Sequence, residues 1–207
     1  MRNVTAGLIV GAMVLVGTAT GVEAQTVTAG AGWTTGWDDE TNLGKGVLVS
    51  GGIAQPLGRH LAVEGEVSWA RQLRDSGYLA AVGTPLIGTA RLAYFFQGPE
   101  SGARAFASAG LGLVHSTGHF TTRTILPGPG GFPVEGPSIQ REWSLTQPAF
   151  ELGAGVAIKS GDRLSFRPEL RWTSTTSSNR RSGSTLEPPL WMIRTGVTIE
   201  WRVRPRT

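Results

Sequence analysis

The sequence predicts an all-β protein, an eight-stranded antiparallel up-and-down transmembrane β-barrel. Three observations predict this fold. Apolar and polar residues alternate with a period of two in eight segments, short and long connections alternate between those segments, and aromatic residues fall at both ends of the apolar face. Successive side chains of a strand point to opposite faces, so each segment has one apolar and one polar side.

The first 24 residues have the pattern of a secretory signal peptide. Arg2 gives a positive start, residues 6–16 form an uncharged apolar run, and small residues lead to a cleavage site after Ala24. The run is too short for a membrane helix, so we expect residues 1–24 to be cleaved. Residues 25–207 then form one outer-membrane β-barrel domain. The chain has no cysteine, so no disulfide framework is available.

The predicted strands are residues 26–35, 46–54, 61–70, 86–96, 105–117, 149–159, 163–173 and 191–203. Most approach the roughly 9–11 residues that a tilted strand needs to cross the hydrocarbon. The short connections are QPLGR, QGPESG and SGD, and the long ones are GWDDETNLG, RQLRDSGYLAAVG, residues 118–148 and STTSSNRRSGSTLEPP. Short turns on one rim and long loops on the other are typical of outer-membrane barrels.

The polar face carries a nearly balanced set of charges, which an enclosed lumen requires because unpaired buried charges are costly. The chain has two lysines only, and arginine suits crowded ion pairs better than lysine. We therefore predict a lumen ion-pair network of Glu64, Glu66, Arg91, Glu151, Lys159, Arg167, Glu169, Arg171, Arg194, Glu200 and Arg202. Such a network would fill the lumen and exclude a porin-type channel.

The aromatic residues of the apolar face predict two membrane-interface belts. The upper belt comprises Trp33, Trp69, Phe150, Trp172 and Trp191, and the lower belt comprises Tyr94, Phe96, Phe166 and Trp201. On the lumen side, Gly110, Gly112, Gly153 and Gly155 would leave room for long charged side chains. Pro168 removes one ladder donor, so we expect a β-bulge beside it.

The segment RTGVTIEW resembles the C-terminal assembly signal of bacterial outer-membrane barrels, carried here by Arg194, Gly196, Ile199 and Trp201. The mature chain resembles the small eight-stranded barrels of the outer-membrane protein A and X type. Unlike most of them, it continues past the terminal aromatic with RVRPRT. The resemblance implies the outer membrane of a Gram-negative-type bacterium, insertion by the barrel-assembly machinery, and contact with outer-membrane lipid and lipopolysaccharide.

We expect a non-enzymatic surface, structural or adhesion-type protein that meets an extracellular ligand through its outer loops, without cofactor or metal. Candidate contacts in the third loop are Ile125, Leu126, Phe132 and Trp143, and Arg180 and Arg181 in the fourth are candidates for lipopolysaccharide phosphates. Asp38, Asp39 and Glu40 carry too few ligands for a calcium site. The arginines are spread along strands of an exported chain, which excludes a nucleic-acid partner.

Two alternatives stay open. Lipid A deacylases are small barrels that use a Ser–His pair at the outer rim, and His115, Ser116 and His119 in VHSTGHF are the candidates here. Adjacent His115 and Ser116 point to opposite faces of a strand, so they do not form such a pair. The other alternative is a soluble periplasmic lipocalin-like carrier, in which the apolar faces would turn inward.

Overall fold

The computed structural model describes residues 25–37, 42–75, 79–127, 133–176 and 191–203. Several predicted features lie outside these residues: the signal peptide, Asp38 to Glu40, Phe132 and the Arg180–Arg181 pair. No helix in the described part of the chain is long and apolar enough to cross a membrane.

The described residues form eight β-strands in one closed antiparallel barrel. In chain order they are β1 (Thr26–Trp37), β2 (Asn42–Pro56), β3 (Leu61–Asp75), β4 (Leu79–Phe95), β5 (Ala103–Pro127), β6 (Pro133–Lys159), β7 (Leu164–Thr175) and β8 (Trp191–Arg202). Each strand pairs with the next, and β1 pairs with β8 from Thr26↔Arg202 to Trp37↔Trp191. The predicted eight-stranded up-and-down fold is confirmed, and closure leaves no exposed edge within the barrel wall.

The end of the barrel that carries the connections 57–60, 96–102 and 160–163 is called the inner rim, and the opposite end the outer rim. The turn between β6 and β7 contains Gly161, whose φ of +106° only glycine adopts without strain. The Ser160 amide donates to the Leu164 carbonyl at 2.8 Å and closes this turn.

The strands reach further beyond the outer rim than the sequence predicts. Residues 118–148 were expected to form a loop, but most of them continue β5 and β6 as a paired hairpin from His119↔Glu142 to Pro127↔Pro133, with one register shift at Arg123. Residues 72–75 likewise pair with 80–83. Apolar and polar residues do not alternate regularly in these segments, so the sequence gives no strand signal there, although backbone pairing continues through them.

The apolar faces point outward, away from the barrel axis. Leu170 is 57% exposed and Ile199 is 44% exposed, while Arg167 of β7 is 1% exposed. A soluble lipocalin-like barrel requires the opposite arrangement, so that alternative is wrong. Exposed apolar residues form a band around the described wall, which in water would be a very large apolar patch.

The predicted bulge at Pro168 is wrong. The β6–β7 register is the same on both sides of an interruption, from Gly155↔Glu169 to Ile158↔Phe166, so no residue is inserted. On the other side, Pro168 stays in register with Val197 of β8. The barrel therefore accommodates the proline by omitting ladder pairs rather than by shifting the strand.

Candidate functional site

The middle of the lumen is filled by buried ion pairs between side chains from five strands. Arg167 Nη1 lies 2.5 Å from Glu64 Oε1 and 2.8 Å from Glu200 Oε1. Arg91 also pairs with Glu64, so one carboxylate of β3 neutralises guanidinium groups from β4 and β7. Because β3 and β7 face each other across the barrel, these contacts span its interior.

A second group of pairs lies one layer closer to the outer rim. Arg171 holds Glu66 through two hydrogen bonds, one of them 2.7 Å between Nη2 and Oε2, and it also contacts Glu169. Glu151 accepts from Arg194 and lies 3.3 Å from Arg91 Nη1. These fork-like guanidinium contacts satisfy most of the buried polar atoms, as burial of charge requires.

Nine of the predicted network residues are therefore brought together, and two are not. Lys159 and Arg202 lie at the inner rim, outside the network formed by the described residues. Lys159 is half-buried and donates to the Pro99 carbonyl, and Arg202 is exposed. Both line a polar cavity of about 160 Å³ that also contains Glu200. Their prediction as network members is corrected, since the alternation fixes the face of a residue but not its height.

Apolar layers close the lumen above and below the ion pairs. The inner cluster comprises Ala62, Ala93, Phe95, Phe106 and Ala157, and the outer cluster comprises Ile87, Val114, Ala149 and Met192. The Arg167 guanidinium lies 4.0 Å from the centre of the Phe106 ring, so a cation–π contact joins the charged layer to the inner cluster.

These apolar layers were not predicted from the sequence. The signal for them was present: placing Phe96 outside requires Phe95 inside, since adjacent residues of a strand alternate. Ser68 was missed as well, and its hydroxyl accepts from Arg194 Nη1 at 2.6 Å.

The packed lumen leaves little free space. A cavity of about 20 Å³ is lined in part by Glu169, Arg171 and Arg194. Atoms of these three side chains have no hydrogen-bond partner among the described residues: Glu169 Oε2, Arg171 Nε and Arg194 Nε. A volume of this size accommodates a single water, which agrees with close packing of side chains at this level of the lumen.

The predicted belt residues lie on the outer face. Phe150, Trp172 and Trp191 form a row of edge-to-face contacts, with ring centroids 6.2 Å and 5.8 Å apart. Near the inner rim, Tyr94 contacts Phe96 edge-to-face at 5.4 Å and His60 stacks on Tyr94 at 5.9 Å. The remaining belt residues, Trp33, Trp69, Phe166 and Trp201, are also exposed.

The residues of the predicted assembly signal divide between the two faces. Ile199 and Trp201 are exposed to the outside, while Arg194 is buried against Glu151 and Ser68. Gly196 has no room for a side chain, because a Cβ there would lie 2.6 Å from the Ala31 carbonyl oxygen. The polar and glycine positions of the signal thus also serve the packing of the lumen and of the β1–β8 seam.

The candidate catalytic residues do not converge. His115 Nδ1 lies 2.8 Å from the Thr146 hydroxyl on the outer face, while the neighbouring Ser116 is buried on the lumen side. His119 faces outward further along β5, opposite Glu142. A nucleophile and its base must be within hydrogen-bond reach, so these three residues do not form such a pair in this arrangement.

Comparison with known proteins identifies the fold. No family model and no curated protein matches the chain. The crystal structure of Neisserial surface protein A is similar, with a TM-score of 0.60 and 11% identity over 86% of this chain and 97% of that one. A major outer membrane protein from Thermus thermophilus has a TM-score of 0.56 and 16% identity over 87% and 100% of the two chains.

The fold, the outward apolar band and the sealed charged lumen define the class of protein: a transmembrane β-barrel of the outer-membrane type. Only helices and closed barrels satisfy their backbone groups in lipid, and an outward apolar wall satisfies the side chains as well. The chain is therefore an integral protein of an outer membrane.

Proposed function

We propose that this protein is a non-enzymatic surface barrel that binds an extracellular protein partner through an outer hairpin. The outer hairpin consists of residues 118–127 of β5 and 133–143 of β6. Its described side chains include four exposed aliphatic residues: Ile125, Leu126, Val134 and Ile139. The observation that carries the proposal is this exposed aliphatic surface beyond the outer rim, where lipid does not cover it.

The filled lumen also supports the proposal, because it leaves the outward surfaces to carry the function. A barrel filled by ion pairs between two apolar layers offers no path for solutes, so function falls on the outward surfaces. Export by a signal peptide in residues 1–24 and insertion by the barrel-assembly machinery belong to the same proposal.

Attachment assays with a matched pair of variants test this role. Leu126 and Val134 are register partners in the outer hairpin, so L126S together with V134S removes aliphatic surface from one place. L57S removes a leucine of the inner rim that is at least as exposed as Leu126, and it serves as the control. A non-adherent Gram-negative strain would express each form, and attachment to wells coated with extracellular-matrix proteins would be counted.

We expect the wild type and L57S to confer attachment and the hairpin variant to lose most of it. Heat-modifiable electrophoretic mobility would establish that all three barrels are folded. If the wild type confers no attachment, or if the folded hairpin variant attaches as well as the wild type, the proposal fails.

The enzymatic alternative has its own test. Lipid A from cells with and without the protein would be compared by mass spectrometry. We expect identical acyl-chain patterns, because His115 and Ser116 lie on opposite faces of β5. Loss of an acyl chain that depends on expression would replace the proposed role with a lipid-modifying one.

A further inference from the structure

A concave patch lies on the outward side of the barrel wall, separate from the lumen and the outer hairpin's aliphatic residues. We call it the outer-face cleft; it has a volume of about 410 Å³ and is lined by Trp69, Arg71, Val82, Thr84, Thr117, Gly118, His119 and Glu142. Short side chains of β4 and β5 form its floor. Longer side chains on β3 and β6 flank this floor, and the difference in side-chain length makes the surface concave.

Along β5 and β6, the cleft begins where polar side chains replace apolar ones on the outward side. On the outer face of β5 and β6, Leu113 pairs with Pro148, and the next outward pair is His115 with Thr146, whose side chains are hydrogen-bonded at 2.8 Å. The Thr117 position follows one step higher. Trp69 is in register with Leu86 at the lower edge of the cleft, as expected for an indole at a membrane interface. The cleft therefore lies at the height of lipid headgroups.

The side chains of the cleft suit an anionic group. Arg71 is exposed on the outer face and carries a guanidinium group with paired donors. The Thr84 and Thr117 hydroxyls lie 2.8 Å apart. The Thr84 hydroxyl also lies 3.1 Å from the Thr117 carbonyl oxygen and has a single proton to donate. When that proton goes to the Thr117 hydroxyl rather than to the carbonyl, the Thr117 hydroxyl can donate to a ligand oxygen. Glu142, in register with His119, is the anionic group of the cleft. Its carboxylate repels a ligand anion and so limits the negative charge that the cleft can bind.

From this geometry we propose that the outer-face cleft binds a phosphate group on the headgroup of an outer-leaflet glycolipid. The Arg71 guanidinium pairs with the phosphate oxygens, the Thr117 hydroxyl donates to one of them, and the Trp69 indole packs against the headgroup–acyl boundary. The site rests on the membrane orientation but not on the proposed attachment role. We assign a lipid phosphate rather than a soluble one, because the cleft opens toward the surrounding leaflet and not toward the lumen.

Native mass spectrometry of the refolded barrel in detergent micelles tests the site. The probes are bisphosphorylated lipid A, the same lipid with its phosphates removed, and inorganic phosphate. The variants are R71Q and E142Q. The control is R59Q, which makes the same charge change at an exposed arginine of the inner rim. Heat-modifiable mobility confirms that each variant is folded, so a binding defect is distinguished from failure of the barrel.

We expect wild type and R59Q to bind bisphosphorylated lipid A and to bind the dephosphorylated lipid much more weakly. R71Q should weaken binding about tenfold, as expected for loss of a charge-assisted hydrogen bond. E142Q should tighten it, because a negative charge facing the phosphate is removed. Equal binding of both lipids, equal affinity for inorganic phosphate alone, or an R59Q defect as large as that of R71Q would overturn the proposal.

Discussion

Glu151 is the position where a single substitution most directly perturbs the lumen. Its side chain is 1% exposed, it accepts from Arg194, and its carboxylate lies 3.3 Å from Arg91 and 3.8 Å from Arg171. At an effective dielectric constant of about 20, one such contact corresponds to roughly 5 kcal/mol of Coulomb attraction before desolvation is subtracted. Replacing Glu151 with alanine removes the close carboxylate partner of the buried Arg194 and leaves it only the Glu66 carboxylate, 3.9 Å away. We therefore expect E151A to lower the free energy of unfolding by about 3–5 kcal/mol.

Urea unfolding of the barrel in thin-bilayer vesicles measures this free energy, with tryptophan fluorescence as the probe and linear extrapolation to zero urea. E100A is the matched control, because Glu100 is exposed in the connection between β4 and β5. It should change the free energy by less than about 0.5 kcal/mol. The double variant E151L with R194L should recover part of the loss, since it removes both charges. A cost below about 1 kcal/mol for E151A would refute a desolvated lumen network.

Three further outcomes are expected. G155A should destabilise the barrel by about 1–3 kcal/mol in the same unfolding assay, because its Cβ would lie 2.4 Å from the Pro168 carbonyl oxygen. G65A should be neutral, because the nearest atom to its Cβ would be 4.0 Å away. Equal effects of the two substitutions would contradict the packing. L170R should cost about 2–4 kcal/mol, because the 57% exposed Leu170 faces lipid between the belts, and a neutral result would place it in water. Planar-bilayer recordings should show no stable stepwise current, and a persistent large conductance would mean an open lumen.

The faces of the strands were predictable from the sequence, because alternation in a strand has only two phases. Leu164, Phe166, Leu170 and Trp172 share one phase, and Arg167, Glu169 and Arg171 share the other. Alternation alone does not decide which face is outside. The scarcity of lysine and the aromatic positions indicated the inside-out arrangement, and the burial of Arg167 agrees with it.

Heights and strand lengths were less predictable, because they depend on pairing between strands. Lys159 shares its phase with Glu151, yet it lies at the inner rim rather than in the network. The hairpin around Thr121↔Gln140 was expected to be a loop, since a water-exposed ribbon needs no apolar face. The outer-face cleft also depends on register, which brings Arg71 and His119 to one surface although they are far apart in sequence.

Spin-label accessibility in a lipid bilayer tests the orientation of the faces most directly. The chain contains no cysteine, so V197C and T198C each provide one nitroxide site, on adjacent residues of opposite phase in β8. Val197 is exposed on the wall and Thr198 is buried in the lumen. For folded barrels we predict a high collision rate with lipid-dissolved oxygen at position 197 and a low one at position 198. A higher oxygen collision rate at 198 than at 197 would contradict the inside-out barrel.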